Sequence, residues 1–414
     1  MKAILRNENE CITAFHKGFP LASVGKSVSA FIAEKPNIFS SGFQFPLMIL
    51  RESALNHNIK RMADYCSSIG AVLAPHVKTS MAPKLAQMQI NSGAWALTVA
   101  NFYQASVFLN FGFRRFIIGN EVVEPTAIQA IGKINLKPDH QIIFYLDSMA
   151  GLEILKSSIS KLVECKIYVL LEIGVENGRT GIRELSLASE ILDGVAKDDR
   201  IEVLGVSGFE GIVPEGARNL LGEEKIRSFL RKIVLAAKIV APHVKNEKII
   251  ISAGGSSFFD FVMEEFQKHS APCTVILRSG GYVSHDHDGY GINYPFLSEV
   301  KQKQFYPALE LWSQVLSCPE PGLALLNFGK RDTGNDVNNP RPIKKFDGKL
   351  KNFTAEIEKL NDQHGCLKLM GEILNVGEIV GMGISHPCTN FDKWKLIPLV
   401  DNNYNVIDCI ETDF

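Results

Sequence analysis

Lys78 closes a short apolar run, AVLAPHVK at residues 71–78, and a helical pattern starts right behind it. Ala71 to Ala74 read as a buried strand, while Met81 to Ile90 carry apolar residues at helical spacing, with Ser80 and Pro83 at the helix start. The amine therefore stands at the C-terminal end of a strand. Two glycine-rich turns lie far downstream, SAGGSS at 252–257 and RSGG at 278–281. Bare backbone N–H groups ahead of a helix N-terminus can hold a phosphate. A strand-end lysine with two such loops points to a phosphorylated cofactor bonded to that lysine, although either loop alone reads equally well as a chain reversal. A third feature is the H-x-C pair His386 and Cys388 in GISHPCTNFDKW. On an extended segment residues two apart face the same side, and both side chains are good zinc ligands. A rival pair, His285 and His287 in SHDHDGY, has the same spacing, with Asp286 and Asp288 on the other face. It could bind metal, orient a substrate or form a solvated turn. Two ligands fall short of the three that protein usually gives a catalytic zinc.

These residues need a scaffold that gathers them. From Ala71 onward eight apolar runs, most of them separated by a plausible helix, end in polar groups: AVLAPHVK, WALTVAN, RFIIGN, IIFYLD, KIYVLLEIG, IEVLGVSGFEG, KIIISAGGSS and TVILRSGG. Eight units over about 210 residues fit a (β/α)8 barrel of about 200 to 250 residues, whose C-terminal strand ends form the active face. The G-x-G-x-x-G of an open doubly wound sheet is missing from the first βα turn. The strand bodies are nearly free of charge, and their downstream ends gather Lys78, Thr98, Asn101, Asn120, Glu121, Asp147, Glu172, Arg179, Glu210, Gly254 to Ser257 and Arg278 to Gly281. Upstream, PLMILRESALNHNIKRMADYC reads as a strand and an amphipathic helix leading into the barrel. Residues 1–44 carry weak patterns and are expected to pack against the C-terminal region. Past residue 305 the pattern changes to short runs with glycine and asparagine turns, as in HGCLKLMGEILNVGEIVGMGISHPC and KLIPLVDNNYNVIDCIE, which read as mainly antiparallel β. The expected division is a barrel over 46–305 and a β domain over 306–414 together with part of 1–45.

The 414 residues are 46% hydrophobic and 21% charged, enough to bury a large core, and the formal charge is -1. No basic run favours nucleic acid or an acidic membrane, so a small-molecule partner is expected. The eight cysteines are scattered without a C-x-x-C pair, which fits a reducing compartment. MKAILRNENECITAF has acidic residues where a signal peptide needs an apolar core, and no apolar run approaches membrane-spanning length. A cytoplasmic location is expected.

PHVKTSMAP, GNEVV at 119–123, EIGVENGRTGI at 172–182, GFEGIVP at 208–214, SAGGSS, LRSGGYVSHDHDGY and SHPCTNFDKW, in that order, resemble the D-threonine aldolase and D-serine dehydratase family. The resemblance covers residues 46 to 400 and is strongest to the D-serine deaminase-like branch. It implies a TIM-type barrel of the alanine-racemase type with a C-terminal β domain, and pyridoxal 5'-phosphate as cofactor. Residue by residue it makes Lys78 the Schiff-base lysine, Arg179 a contact near the cofactor's phenolic oxygen, and Gly254, Gly255, Ser256, Gly280 and Gly281 the phosphate cradle. Arg278 falls where racemases of this fold set an arginine against the pyridine nitrogen. His386 and Cys388 match the pair that holds a divalent ion, zinc by its donor set, beside the substrate hydroxyl. The chain departs from the family in reading HVKTSM where many relatives have HVKTHK, so any role of that His and Lys is in doubt here.

The activity so implied is dehydration and deamination of D-3-hydroxy amino acids of the D-serine type by a homodimeric lyase. A D-threonine aldolase, splitting its substrate to glycine and an aldehyde, is the alternative; relatives with that activity tend to carry Asp in place of the cysteine of H-x-C. A pyridoxal-phosphate-binding protein without catalysis is a third reading, against which the added β domain and its metal pair argue.

Overall fold

The computed structural model describes residues 11–268 and 272–414. The first ten residues, on which part of the N-terminal reading rests, lie outside the described residues. The chain divides into two compact units: Ala63–Lys78 with Gln89–Gly280, and Thr79–Met88 with Gly281–Phe414 and the described residues through Met62.

β1 (Leu47–Arg51) belongs to the second unit. The first is built on β2 (Val72–Leu73), β3 (Leu97–Val99), β4 (Arg115–Glu121), β5 (Gln141–Leu146), β6 (Ile167–Ile173), β7 (Ile201–Gly208), β8 (Ile249–Ala253) and β9 (Cys273–Leu277). Each of the eight expected runs thus contains a strand. They form one parallel sheet in the order β2-β9-β8-β7-β6-β5-β4-β3. Its two ends meet through a parallel bridge between His76 and Thr98, with the Val77 amide donating to the Thr98 carbonyl at 2.8 Å and the Thr98 amide to the Pro75 carbonyl at 2.8 Å. The sheet curls into a barrel. Its interior is a layer of Ala74, Ala96, Ile117, Ile143, Leu170, Leu204, Ile250 and Ile276, one from each strand or its extension, packed with Tyr145. Helices follow the strands because the sequence supplies starts for them: Asn101, Ser148 and Asn219 accept hydrogen bonds from the first turns of the helices 102–110, 149–159 and 220–240. At Gly205 a Cβ would meet the Ile250 carbonyl oxygen at 1.9 Å, so a glycine lets β7 lie this close to β8.

The second unit carries β10 (Leu309–Glu320), β11 (Leu323–Leu326), β12 (Arg341–Phe346), β13 (Leu350–Asn352), β14 (Glu356–Leu360), β15 (Gly365–Lys368), β16 (Ile379–Gly383), β17 (Leu396–Val400) and β18 (Val406–Glu411). The main path is β13-β12-β16-β10-β1-β17-β18, with β11, β15 and β14 branching from β10. Every pair is antiparallel except β1 with β17. β1, expected to lead into the barrel, instead sits inside this sheet. Leu47, Met48, Ile49 and Leu50 are all fully buried, and a run apolar on both faces needs a strand covered on both. Ile12, Phe19, Phe31, Ile38 and Phe43 join Trp312, Leu396, Val400 and Tyr404 in the core of this unit. Among the described residues no helix is long and apolar enough to cross a membrane, and no disulfide links any two cysteines.

Candidate active site

Side chains on a strand alternate, so the residues two and four beyond the barrel's core layer also face inward. Counting from Ala74 gives His76, with Lys78 in the turn 77–80 directly behind it; from Ile117, Gly119 and Glu121; from Tyr145, Asp147; from Leu170, Glu172; from Ile250, Ser252 and Gly254; from Ile276, Arg278 and Gly280. The strand-end groups are therefore the inward-facing groups of one barrel mouth. Lys78 is exposed. Burial pushes His76 well below the ordinary imidazole value, and Lys78, Arg278 and Arg179 push it further the same way, so the ring is neutral. Its Nδ1 is buried without a hydrogen-bond partner.

Arg278 is buried and fixed. Its Nη1 donates to Ser207 Oγ at 3.0 Å and Ser252 Oγ at 2.6 Å, its Nη2 to the Gly208 carbonyl at 2.7 Å, and its guanidinium lies 5.7 Å from the Tyr145 ring. Arg179 is exposed, 5.1 Å from the Phe209 ring. The two glycine loops are tied together by Ser279, whose hydroxyl donates to the Gly254 and Gly255 carbonyls at 3.2 and 2.9 Å. The amides of Gly254 and Gly255 donate to the buried carboxylate of Glu210 at 3.0 and 2.5 Å. Those two amides are thus already committed within the protein. The amides of Ser256, Ser257 and Gly280 have no backbone acceptor among the described residues and remain for an anion.

Of three neighbouring strands, β4 ends in Glu121, β5 stops directly before Asp147 and β6 carries Glu172 as its last residue but one, and these three acids bring carboxylate oxygens within 4.8 Å of one another. Neither oxygen of Glu121 nor Glu172 Oε2 finds a donor among the described residues. Asp147 accepts the Gly181 amide at 2.9 Å. Burial, then Glu172 and then Asp147, push the Glu121 carboxyl up to about 8. Such a trio can share a proton or hold a cation, and the raised Glu121 favours the proton.

In the second unit His386 is extended and Cys388 lies in the turn Pro387–Thr389. Burial works against protonation of His386, but the sulfur of Cys388, Asp336 and Asp286 outweigh it and raise the imidazole above its ordinary value. Thr79 Oγ1 lies 3.5 Å from Cys388 Sγ. His386 Nε2 lies 4.0 Å from Asp336 Oδ2. Imidazole and thiolate side by side are the donors of a borderline-soft divalent ion such as zinc.

The comparisons with known proteins give the same fold and a common set of relatives. The family described as "Putative serine dehydratase domain" matches residues 308–400. The 3-hydroxy-D-aspartate aldolase of Paracoccus denitrificans (strain Pd 1222) is 22% identical over 377 residues, covering 89% of this chain and 92% of that protein. Among solved structures, D-threonine aldolase from Filomicrobium marinum superposes with a TM-score of 0.74 at 22% identity, covering 96% of this chain and 97% of that one. D-threo-3-hydroxyaspartate dehydratase from Delftia sp. HT23 gives 0.69 at 17%, covering 89% and 97%. Over most of its length the chain is similar to D-threonine aldolases and 3-hydroxy-D-aspartate aldolases, and residues 308–400 match a serine dehydratase domain. Its fold is the alanine-racemase-like fold.

Within this family fold, the first unit brings together Lys78, Arg278, Arg179, Ser256 and the glycines up to Gly280, and the second brings together His386 and Cys388. Gly281 opens the second unit, where its carbonyl accepts the His285 amide at 2.8 Å. The rival histidines are not built as a pair. His285 is buried against the Tyr294 and Phe305 rings at 4.6 and 5.7 Å, and burial drops it to about 3. His287 is dropped to about 4, again by burial first. Between them Asp286 accepts the amides of Asp288, Tyr290 and Gly291 at 3.2, 3.0 and 2.9 Å, which makes the SHDHDGY segment a buried turn rather than a solvated one. Sequence reasoning passed over the roles of Ser207, Ser252 and Asp336. Ser252 could have been found from the inward period of β8, whereas Ser207 stands three residues beyond Leu204 and comes inward through the register shift at Gly205.

Proposed function

We propose that the protein is a pyridoxal-phosphate- and metal-dependent lyase that converts D-3-hydroxy amino acids of the D-serine type to a 2-oxo acid and ammonia. The observation that carries the reading is the exposed amine of Lys78 at a barrel mouth whose loop amides at Ser256 and Gly280 have no backbone acceptor among the described residues. Those amides suit a phosphate, and the amine suits a carbonyl group of the cofactor. When bound, the cofactor acidifies the Cα–H of an amino acid and the metal draws electron density from its hydroxyl oxygen.

The chain's own residues supply the rest. Lys78 takes the proton from Cα, and as the single base it serves one stereochemical face, which selects D over L. Arg278, locked by Ser207, Ser252 and the Gly208 carbonyl, is a cation that cannot turn away. Opposite a pyridine nitrogen it disfavours ring protonation, which weakens electron withdrawal there and leaves more of the task to leaving-group activation. His386 and Cys388 hold the metal. Loss of hydroxide from Cβ with the Cα proton, then uptake of water and release of ammonia, gives the 2-oxo acid. The reading includes a homodimer, a cytoplasmic location, and a small D-amino acid as substrate.

Cleavage is the competing outcome, because the relatives include aldolases. The holoprotein given D-threonine should yield 2-oxobutanoate and ammonia, with little product from L-threonine. Glycine and acetaldehyde as the main products would reject dehydration in favour of the aldolase.

A further inference from the structure

The H-x-C pair leaves a metal with two protein ligands, one fewer than the three usual for a catalytic zinc with an open position. The structure offers a third. Residues 333–338 run against the turn that carries His386 and Cys388 and are fastened to it by side chains. Thr389 Oγ1 donates to Asp336 Oδ1 at 2.9 Å. The Asn390 amide oxygen accepts Thr333 Oγ1 at 3.0 Å and the Gly334 amide at 3.1 Å, while Asn390 Nδ2 donates to the His386 carbonyl at 2.5 Å. Ser385 Oγ donates to the Asn338 carbonyl at 2.6 Å. At Gly334 a Cβ would meet Thr389 Oγ1 at 2.1 Å, so the approach needs glycine there. Two loops fastened this way fix Asp336 relative to His386 through one carboxylate oxygen and leave the other, Oδ2, facing Nε2.

The 4.0 Å between Oδ2 and Nε2 is too long for a hydrogen bond. Two ligands about 2.1 Å from one tetrahedral ion stand about 3.4 Å apart, so a small rotation of an exposed carboxylate closes the difference. The other acid near His386 is less available, since Asp286 already accepts three backbone amides. Asp336 spends one oxygen on a single hydroxyl. We infer that Asp336 is the third protein ligand of the metal held by His386 and Cys388, giving a His–Cys–Asp set with one position open to substrate. Its charge and that of the thiolate then match a divalent ion. The inference rests on the proposed metal pair.

The test measures metal binding rather than turnover. Asp336→Asn, Asp286→Asn, His386→Ala and Cys388→Ala proteins are purified with cofactor, stripped of metal, and titrated with Zn2+ against a chromophoric chelator and with Co2+ by visible absorption. Circular dichroism checks the fold. Asp336→Asn should weaken zinc by more than about 100-fold, beyond what loss of an outer partner costs, and should change the position and strength of the Co2+ bands, with Asp286→Asn near wild type. Zinc affinity within about 3-fold of wild type and an unaltered Co2+ spectrum in Asp336→Asn would overturn the third ligand while leaving the pair intact. Retention of metal by both His386→Ala and Cys388→Ala would overturn the pair itself.

Discussion

The two units collect their reactive groups by opposite means. In the barrel the groups are far apart in sequence, and most of them, such as His76, Glu121, Asp147, Glu172, Ser252 and Arg278, stand two or four residues beyond a buried core position on their own strand. In the β unit they come from two loops, one holding His386 and Cys388 and the other Asp336, zipped by Thr389, Asn390 and Ser385. A loop site depends on its fasteners. On the proposed function the two units also divide the chemistry, with carbonyl and phosphate capture in the barrel and metal capture in the β unit.

The largest effects should come from dissociating those chemistries. Lys78→Ala should abolish borohydride-fixable cofactor while metal content stays at wild type. His386→Ala should do the reverse, emptying the metal site and removing most turnover with the yellow colour kept. Absorption spectra and metal analysis of the same two preparations decide it. Fixable cofactor in Lys78→Ala, or metal retained after His386→Ala with its loss in a His285→Ala, His287→Ala protein, would break the assignment of chemistry to unit.

A smaller effect tests whether the phosphate loop is held in advance. Glu210 serves the Gly254 and Gly255 amides, and its removal leaves two buried donors without partners, at about 1–3 kcal/mol each. Burial raises its carboxyl above the ordinary value against the pull of those same amides and Arg278. Glu210→Gln keeps one acceptor oxygen and Glu210→Ala neither. Titration of the apoproteins with pyridoxal phosphate should show affinity falling in that order, by about tenfold per lost bond, which corresponds to about 1.4 kcal/mol. Equal affinities in all three would mean that the loop needs no such support.

How much of this was legible in the sequence follows from the same contrast. The barrel could be read because each strand announces itself as an uncharged apolar run with a polar end, and parallel order follows from alternation with helices. All eight runs contain strands, Arg278 faces inward because of its spacing from Ile276, and Lys78 stands in the turn just past its strand. The convergence of Glu121, Asp147 and Glu172 was less visible: each reads as one polar strand end among many, and only the adjacency of β4, β5 and β6 makes them a trio. In the β unit His386 and Cys388 could be read as a local spacing. Asp336 could not, because it stands fifty residues upstream in the polar stretch NDVNNP, and only the fold carries that stretch to the turn. β1 was misplaced for a related reason. Its partners β10 and β17 lie more than 250 residues away, beyond any local pattern.

The smallest expected effect concerns what the acidic trio holds. Glu121 is pushed up to about 8 in the folded protein against an ordinary value of 4.5, by burial first and then by Glu172 and Asp147. Between those values the folded state keeps a proton that the unfolded state has released, so stability falls as pH rises. The contribution is whole below pH 4.5 and is lost as pH passes through about 8. Glu121→Gln carries no such proton. Its melting temperature relative to wild type should therefore climb from pH 5 to pH 8, by about 1–3 °C in a chain of this size, with little difference at pH 5. A trio that instead bound a cation would need Glu121 ionised, and the substitution would then lower the melting temperature most at high pH. Thermal melts of both proteins across that range, with and without added Mn2+, separate the two cases. A difference that rises with pH and ignores the ion keeps metal capture in the β unit, whereas one that falls with pH and responds to the ion would put a second cation in the barrel.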